Sequence, residues 1–133
     1  MRYYNSMSRL REAVTQRILV LDGAMGTMIQ AANLGAEDFG GARYEGCNEH
    51  LNLTQPDVIR SIHAAYFEAG ADLVSTNTFG CAPYVLAEYG LGERAYEITL
   101  AAARLARGVA GTRFVVGAMG PSTRCCSRRP RTR

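Results

Sequence analysis

The alternation of short branched apolar runs with segments of helical period constrains this chain more than any other feature. Arg17-Ile-Leu-Val-Leu-Asp22 is a continuous apolar run that Asp22-Gly23 stops. Unbroken hydrophobicity of this length predicts a strand buried on both faces, as in a parallel sheet covered by helices. Thr54-Gln-Pro-Asp57 then reads as a helix start. Thr54 can cap, Pro56 gives up no donor needed in the first turn, and Asp57 suits the positive end of the helix dipole. Val58, Ile62, Ala65, Tyr66 and Ala69 follow at helical spacing, and Gly70 is placed to end the helix. Ala71-Asp-Leu-Val-Ser-Thr-Asn-Thr-Phe79 predicts a second strand running into a polar loop. After Gly92, a second helix shows Ala95, Ile98, Ala102, Leu105 and Val109 on one face, closed by Gly111-Thr112. Arg113-Phe-Val-Val-Gly117 predicts a third strand, ending in Ala118-Met-Gly-Pro121. Strands alternating with helix-length crossovers predict an α/β fold of parallel strands in right-handed βαβ units. Three such strands fit an open sheet or a barrel, and the pattern does not separate the two. Residues 5–16 predict a short helix with Leu10 and Val14 on one side. Residues 31–53, with Gly35, Gly40, Gly41 and Gly46, read as a loop excursion.

Length and charge narrow the function classes. A chain of 133 residues holds one domain, and 47% hydrophobic with 20% charged residues is ordinary for a soluble globular protein. No apolar run reaches the roughly 20 residues of a membrane helix. Residues 1–16 lack an apolar block with a cleavage site, so no secretory signal is expected. The net charge of +3 divides unevenly, because five of the fifteen arginines lie in the last ten positions. Residues 1–123 hold ten arginines against twelve acids, a net of −2, which argues against a nucleic-acid surface on the body. Cys47, Cys81, Cys125 and Cys126 form no recognisable disulfide framework, and a cytoplasmic setting with reduced thiols is expected.

In both candidate architectures ligands gather at the carboxyl ends of the strands. Those ends read Asp22-Gly-Ala-Met-Gly-Thr27, Ser75-Thr-Asn-Thr-Phe79 and Gly117-Ala-Met-Gly-Pro-Ser-Thr123. They offer small or polar residues with backbone donors, and Asp22 adds a carboxylate able to accept from an ammonium group. Such a rim suits a small zwitterion better than a bulky apolar ligand. Each motif has a plainer alternative: Asp22-Gly23 as a turn, and Thr76-Asn77-Thr78 as a helix cap. The glycines after Asp22 lack both the phosphate-loop ending and the dinucleotide spacing. Cys47 and His50 make one Cys-x-x-His pair with no second pair at ligand spacing, so no zinc site is expected there. His63 reads as a packed or surface histidine, and Cys81 as a small residue at a helix start rather than a nucleophile.

Leu21-Asp-Gly-Ala-Met-Gly-Thr-Met-Ile-Gln30, Gly46-Cys-Asn-Glu-His-Leu-Asn-Leu-Thr-Gln-Pro-Asp-Val-Ile59, Ile62-His-Ala-Ala-Tyr-Phe-Glu-Ala-Gly-Ala-Asp-Leu-Val74 with Thr76-Asn-Thr-Phe79, and Gly117-Ala-Met-Gly-Pro121 occur in order. Together they resemble the homocysteine S-methyltransferase family, in particular the homocysteine-binding domain of its cobalamin-dependent methionine synthase branch. The resemblance covers roughly residues 10–123. It implies the first part, about three strands, of a (β/α)8 TIM barrel over residues 1–123. It also implies methyl transfer to homocysteine to give methionine, with a zinc ion that activates the thiol, methylcobalamin as donor, and downstream folate- and cobalamin-binding domains as partners. Carried over by position, Asp22, Gly23 and Ala24 would hold the amino-acid end of homocysteine, with Asn77 and Thr78 on the rim. Ser75 stands where the family is expected to have Glu.

The family's zinc ligands are three cysteines, one late in the barrel and an adjacent pair behind two glycines. Cys125-Cys126 is adjacent but follows Ser-Thr-Arg and runs into Ser-Arg-Arg-Pro-Arg-Thr-Arg133. The expectation is therefore an N-terminal fragment without its zinc ligands and inactive alone. Residues 124–133 are expected to be a disordered, Arg-rich tail unrelated to the barrel. Two other readings are a cobalamin-independent homocysteine methyltransferase fragment and a small non-enzymatic α/β binding module with a basic tail.

Overall fold

The computed structural model describes residues 2–121, with side chains from residue 7 onward. In chain order the elements are α1 (Arg2–Gln16), α2 (Met25–Ala31), α3 (Leu51–Thr54), α4 (Pro56–Glu68), β1 (Leu73–Ser75), α5 (Pro83–Leu86), α6 (Ala95–Ala110) and β2 (Phe114–Val116), joined in places by single 3₁₀ turns. β1 and β2 pair in parallel, with Leu73 opposite Phe114 and Ser75 opposite Val116, and α6 makes the crossover between them. The fold is α/β with a parallel sheet, as the alternating pattern predicts.

The first predicted strand is corrected. Residues 17–22 join β1 through one parallel bridge, Leu21 to Leu73, rather than forming a full strand. The carbonyl of Val20 accepts from Asp72 and Leu73 at 2.8 and 3.1 Å, and Asp22 N–H donates to Leu73 at 3.0 Å. Arg17 adds a bidentate ion pair with Asp72 at 2.6 and 2.9 Å, which holds the Asp72 carboxyl down at about 2. Burial on both faces is also corrected: Ile18, Val20 and Leu21 are 90%, 54% and 51% exposed. A parallel strand is buried only when helices cover both its faces and strands flank it, and among the described residues this segment bridges β1 alone.

Both long helices follow their sequence signals, with two adjustments. Pro56 opens α4 and Asp57 sits in its first turn, paired with Arg60. Thr54 does not cap it: Gln55 is the N-cap residue, and the Thr54 hydroxyl donates back to the His50 carbonyl at 3.4 Å. The buried face of α4 is Ile59, Ile62, His63 and Phe67, rotated from the expected stripe, while Ala65 and Ala69 face outward. Gly70 ends the helix at φ 103°, a conformation that side chains with a Cβ resist. The Arg113 guanidinium donates to the last-turn carbonyl of Phe67 at 2.8 Å and lies 4.1 Å over its ring, capping α4 with charge and π contact together. In α6 the expected positions Ala95, Ile98, Ala102 and Leu105 are buried, joined by Ala106 and Ala110. On α1, Val14 is 56% exposed rather than packed.

The excursion at residues 31–53 contributes core rather than a surface loop. Phe39 and Leu51 pack with Ile29, Ile59, Ile62 and Leu105, and Cys47 packs with Cys81, Leu86, Leu91, Ala95 and Ile98. A third cluster of Phe67, Ala71, Val74, Ala106 and Ala110 seats α4 and α6 on the sheet. Each fully buried Leu or Ile contributes roughly 1.5–3 kcal/mol of transfer free energy.

Candidate functional site

The carboxyl end of β1 gathers the polar residues that the sequence singles out, and three separate networks hold them. Both carboxylate oxygens of Asp22 accept the backbone N–H of Ser75, at 3.0 and 2.9 Å. Together with the Asp22 backbone bond to Leu73, this fixes the end of the 17–22 segment to β1. Gly23 follows because a Cβ there would lie 3.3 Å from the Tyr66 hydroxyl of α4. That hydroxyl donates to the Ala24 carbonyl at 3.4 Å, and Ala24 leads into α2. The strand end read as Asp22-Gly-Ala-Met-Gly-Thr27 is thus helical from Met25 onward.

Asn77 is buried and faces away from solvent into the excursion. Its amide donates to the Asn48 carbonyl at 2.8 Å and to the Asn52 side-chain oxygen at 3.2 Å. The Asn52 amide returns a bond to the Asn77 carbonyl at 2.8 Å. Thr76 and Thr78 form the third network, whose proton order follows from its ends. The Thr78 hydroxyl donates to the Ala118 carbonyl at 2.8 Å, so Thr76 must be the donor in the 2.6 Å Thr76–Thr78 contact. Thr76 Oγ1 in turn accepts from Ala118 N–H at 3.1 Å. Asp22, Asn77 and Thr78 therefore share one end of β1 but no hydrogen bond with one another. Thr76-Asn77-Thr78 caps no helix, since α5 has Ala82 at its N-cap.

The third strand end closes over this latch. Gly120 N–H donates to the Phe79 carbonyl at 2.9 Å, and a Cβ at Gly120 would sit 2.4 Å from that same oxygen. We expect Gly120→Ala to push residues 117–121 off the Thr76–Thr78 latch, costing about 1–3 kcal/mol in chemical denaturation. A cavity of about 550 Å³ lies between this loop, residues 76–82 and the Thr99–Ala103 flank of α6. Neither Asp22 nor Asn77 lines it.

His63, read from the sequence as a packed or surface histidine, is packed. It is fully buried on α4, and neither ring nitrogen has a hydrogen-bond partner. Burial pushes its pKa down, and the Asp22 carboxylate partly offsets this. A group neutral when folded and protonatable when unfolded binds more protons unfolded, so stability rises with pH across that interval. The chain should therefore keep its full His63 contribution above the ordinary histidine pKa of 6.5 and lose it progressively below. A melting temperature that falls no more between pH 7 and pH 5 in wild type than in a His63→Phe control would contradict this.

The donor set for a metal is poor. Among the described residues no group of three or more His, Cys, Asp or Glu side chains is arranged to hold an ion. Cys47 and Cys81 are free and buried, and burial pushes both thiols up, Cys81 to about 11, away from the thiolate that zinc needs. The Nδ1 of His50 is committed to the Phe39 carbonyl at 2.8 Å. These residues do not fit a zinc centre. Cys125 and Cys126 lie outside the described residues. No helix among the described residues is long and apolar enough to cross a membrane.

Comparison with known proteins agrees with the motifs. The chain is 48% identical over 122 residues to the methionine synthase of Mycobacterium tuberculosis, an alignment covering 86% of this chain and 10% of that protein. The methionine synthase of Mycobacterium leprae matches with the same identity and coverage. The chain thus spans about a tenth of the length of the curated relatives it matches. The homocysteine S-methyltransferase profile matches residues 19–132, most of the chain. The chain belongs to the homocysteine S-methyltransferase family.

Proposed function

We propose that this chain forms the opening strands of a (β/α)8 barrel and supplies the amino-acid end of a homocysteine site. In this reading the longer protein transfers a methyl group to homocysteine to give methionine. The observation that supports it most is Asp22. Its carboxylate sits at the carboxyl end of a parallel pair, is only half-buried, and takes a single N–H among the described residues although a carboxylate has about four acceptor positions. An ammonium group can use the remaining lone pairs. Gly23 and Ala24, both exposed beside it, would line the site with backbone groups, and Asn77 and Thr78 would complete the rim by holding its shape.

The described residues offer no group that would generate a thiolate, so the chemistry proposed for them is binding and orientation, not methyl transfer. Zinc, methylcobalamin and the folate- and cobalamin-binding domains belong to the proposal for the longer protein, as does a cytoplasmic setting. Isothermal titration of the 133-residue chain with L-homocysteine should show saturable binding. The des-amino analogue 4-mercaptobutyrate should bind at least tenfold more weakly, by about the 1.5–3 kcal/mol of a charge-assisted hydrogen bond. Equal affinity for the two would remove Asp22 from the ammonium site.

A further inference from the structure

The helical spacing of α4 places His63 on the same face as Ile59, Ile62 and Phe67, where an apolar residue would pack without penalty. Instead the imidazole is fully enclosed, and among the described residues its two nitrogens are the only buried side-chain nitrogen or oxygen atoms without a partner. Native folds seldom leave such groups unpaired, and the exceptions often mark a function. Two observations locate what the ring serves. Among the described residues, the Asp22 carboxylate is the charge that offsets the effect of burial on the ring. One turn further along α4, Tyr66 contacts the next two residues of the same loop, with its hydroxyl bonded to Ala24 and 3.3 Å from a Cβ built on Gly23. Successive turns of α4 therefore support the Asp22-Gly23-Ala24 corner. On the other side, Ser75 N–H is the only donor to the Asp22 carboxylate among the described residues, and it is shared by both oxygens.

We propose that His63 is a positioning residue for Asp22, its imidazole donating one ring N–H to the carboxylate through one bound water. The inference rests on the reading of Asp22 as the ammonium acceptor. Its logic is that of charge conservation within the site. A cationic side chain at position 63 would neutralise Asp22 and compete with the substrate's ammonium. An uncharged donor orients the carboxylate and leaves its full negative charge for the ligand, and burial keeps this imidazole uncharged near neutral pH. No bond is made or broken, and the proton stays on the ring.

The chain has two histidines, so imidazole ¹⁵N spectra of the labelled 133-residue protein contain two readily separated signals. In wild type, His63 should occupy one tautomer with a hydrogen-bonded N–H. Asp22→Asn should shift that signal and leave His50, bonded to Phe39, in place. His63→Phe should keep or raise the melting temperature while weakening L-homocysteine binding roughly threefold to tenfold, and His63→Gln should recover part of the loss. A His63 signal indifferent to Asp22→Asn overturns the proposal, as does unchanged affinity in His63→Phe. If wild type fails to bind homocysteine, the substrate reading falls. The response of His63 to Asp22→Asn, measured without ligand, then decides the positioning role by itself.

Discussion

Asn77→Asp should unfold this chain or bring it to the edge of unfolding near neutral pH. The two atoms facing the Asn77 amide are both acceptors, the Asn48 carbonyl at 2.8 Å and the Asn52 side-chain oxygen at 3.2 Å. The substitution replaces the donor with a third acceptor carrying charge, at a residue only 5% exposed. A buried charge without a partner costs about 3–5 kcal/mol, a large share of the 5–15 kcal/mol that holds a typical domain together. The sign of its pH dependence is fixed. The buried carboxyl titrates above its unfolded value of about 3.9, so the penalty grows as pH rises from there and is complete above the raised folded pKa. Acidification should therefore rescue the variant, opposite to the trend that His63 gives the wild type. Urea melts at pH 7 and pH 4 test both statements, and a variant as stable as wild type at pH 7 would show that the amide network contributes little.

Asn77 also shows where sequence reading reaches its limit. Its position at a strand end, next to two threonines, marks it as a rim residue, and the structure does place it there. What the sequence does not carry is direction. The side chain turns into the excursion to meet Asn48 and Asn52, and those partners are 29 and 25 residues away. Asn48 and Asn52 are spaced by four, a pattern that could have revealed a shared face had residues 31–53 been read as packed. Glycine-rich composition hides that packing, although Phe39, Cys47 and Leu51 all lie in the buried core.

The long helices α4 and α6 are legible because their period repeats over many residues, whereas the seven and four residues of α2 and α3 are too few to show one. The 17–22 segment was legible as an extended apolar run, but not as an exposed one. Burial is a property of neighbours, and its bridge to β1 depends on residues about fifty positions later. Thr54 failed as a cap for a local reason: the preceding residues already form a helical turn, so its hydroxyl returns to His50 and Gln55 takes the N-cap position. The sequence reads His63 as packed or surface, because histidine on an apolar face is commonly satisfied there. What the spacing does not carry is that its nitrogens lack hydrogen-bond partners and that the Asp22 charge offsets its burial. Ser75, which stands where Glu was expected, serves Asp22 through its backbone N–H, a contact that any residue except proline supplies.

Asp22 carries two jobs, and a pair of substitutions should separate them. Asp22→Asn keeps one side-chain oxygen to accept Ser75 N–H, so the corner should hold and stability should fall by no more than about 1 kcal/mol. It removes the charge that an ammonium would meet, and homocysteine affinity should drop roughly tenfold to a hundredfold, the worth of a charge-assisted bond of about 1.5–3 kcal/mol. Asp22→Ala removes both functions. It leaves Ser75 N–H, in a part-buried position, without its acceptor and frees the 17–22 segment from one of its ties to β1. Its additional cost should be about 1–3 kcal/mol, with faster amide exchange at Leu73 and Ser75. The contrast is the informative result. If Asp22→Asn destabilises the chain as much as Asp22→Ala, the carboxylate charge is structural. If Asp22→Asn binds homocysteine as wild type does, the ammonium lies elsewhere. Only a stable Asp22→Asn variant with weakened binding matches a carboxylate anchored by one backbone donor and held open toward a ligand.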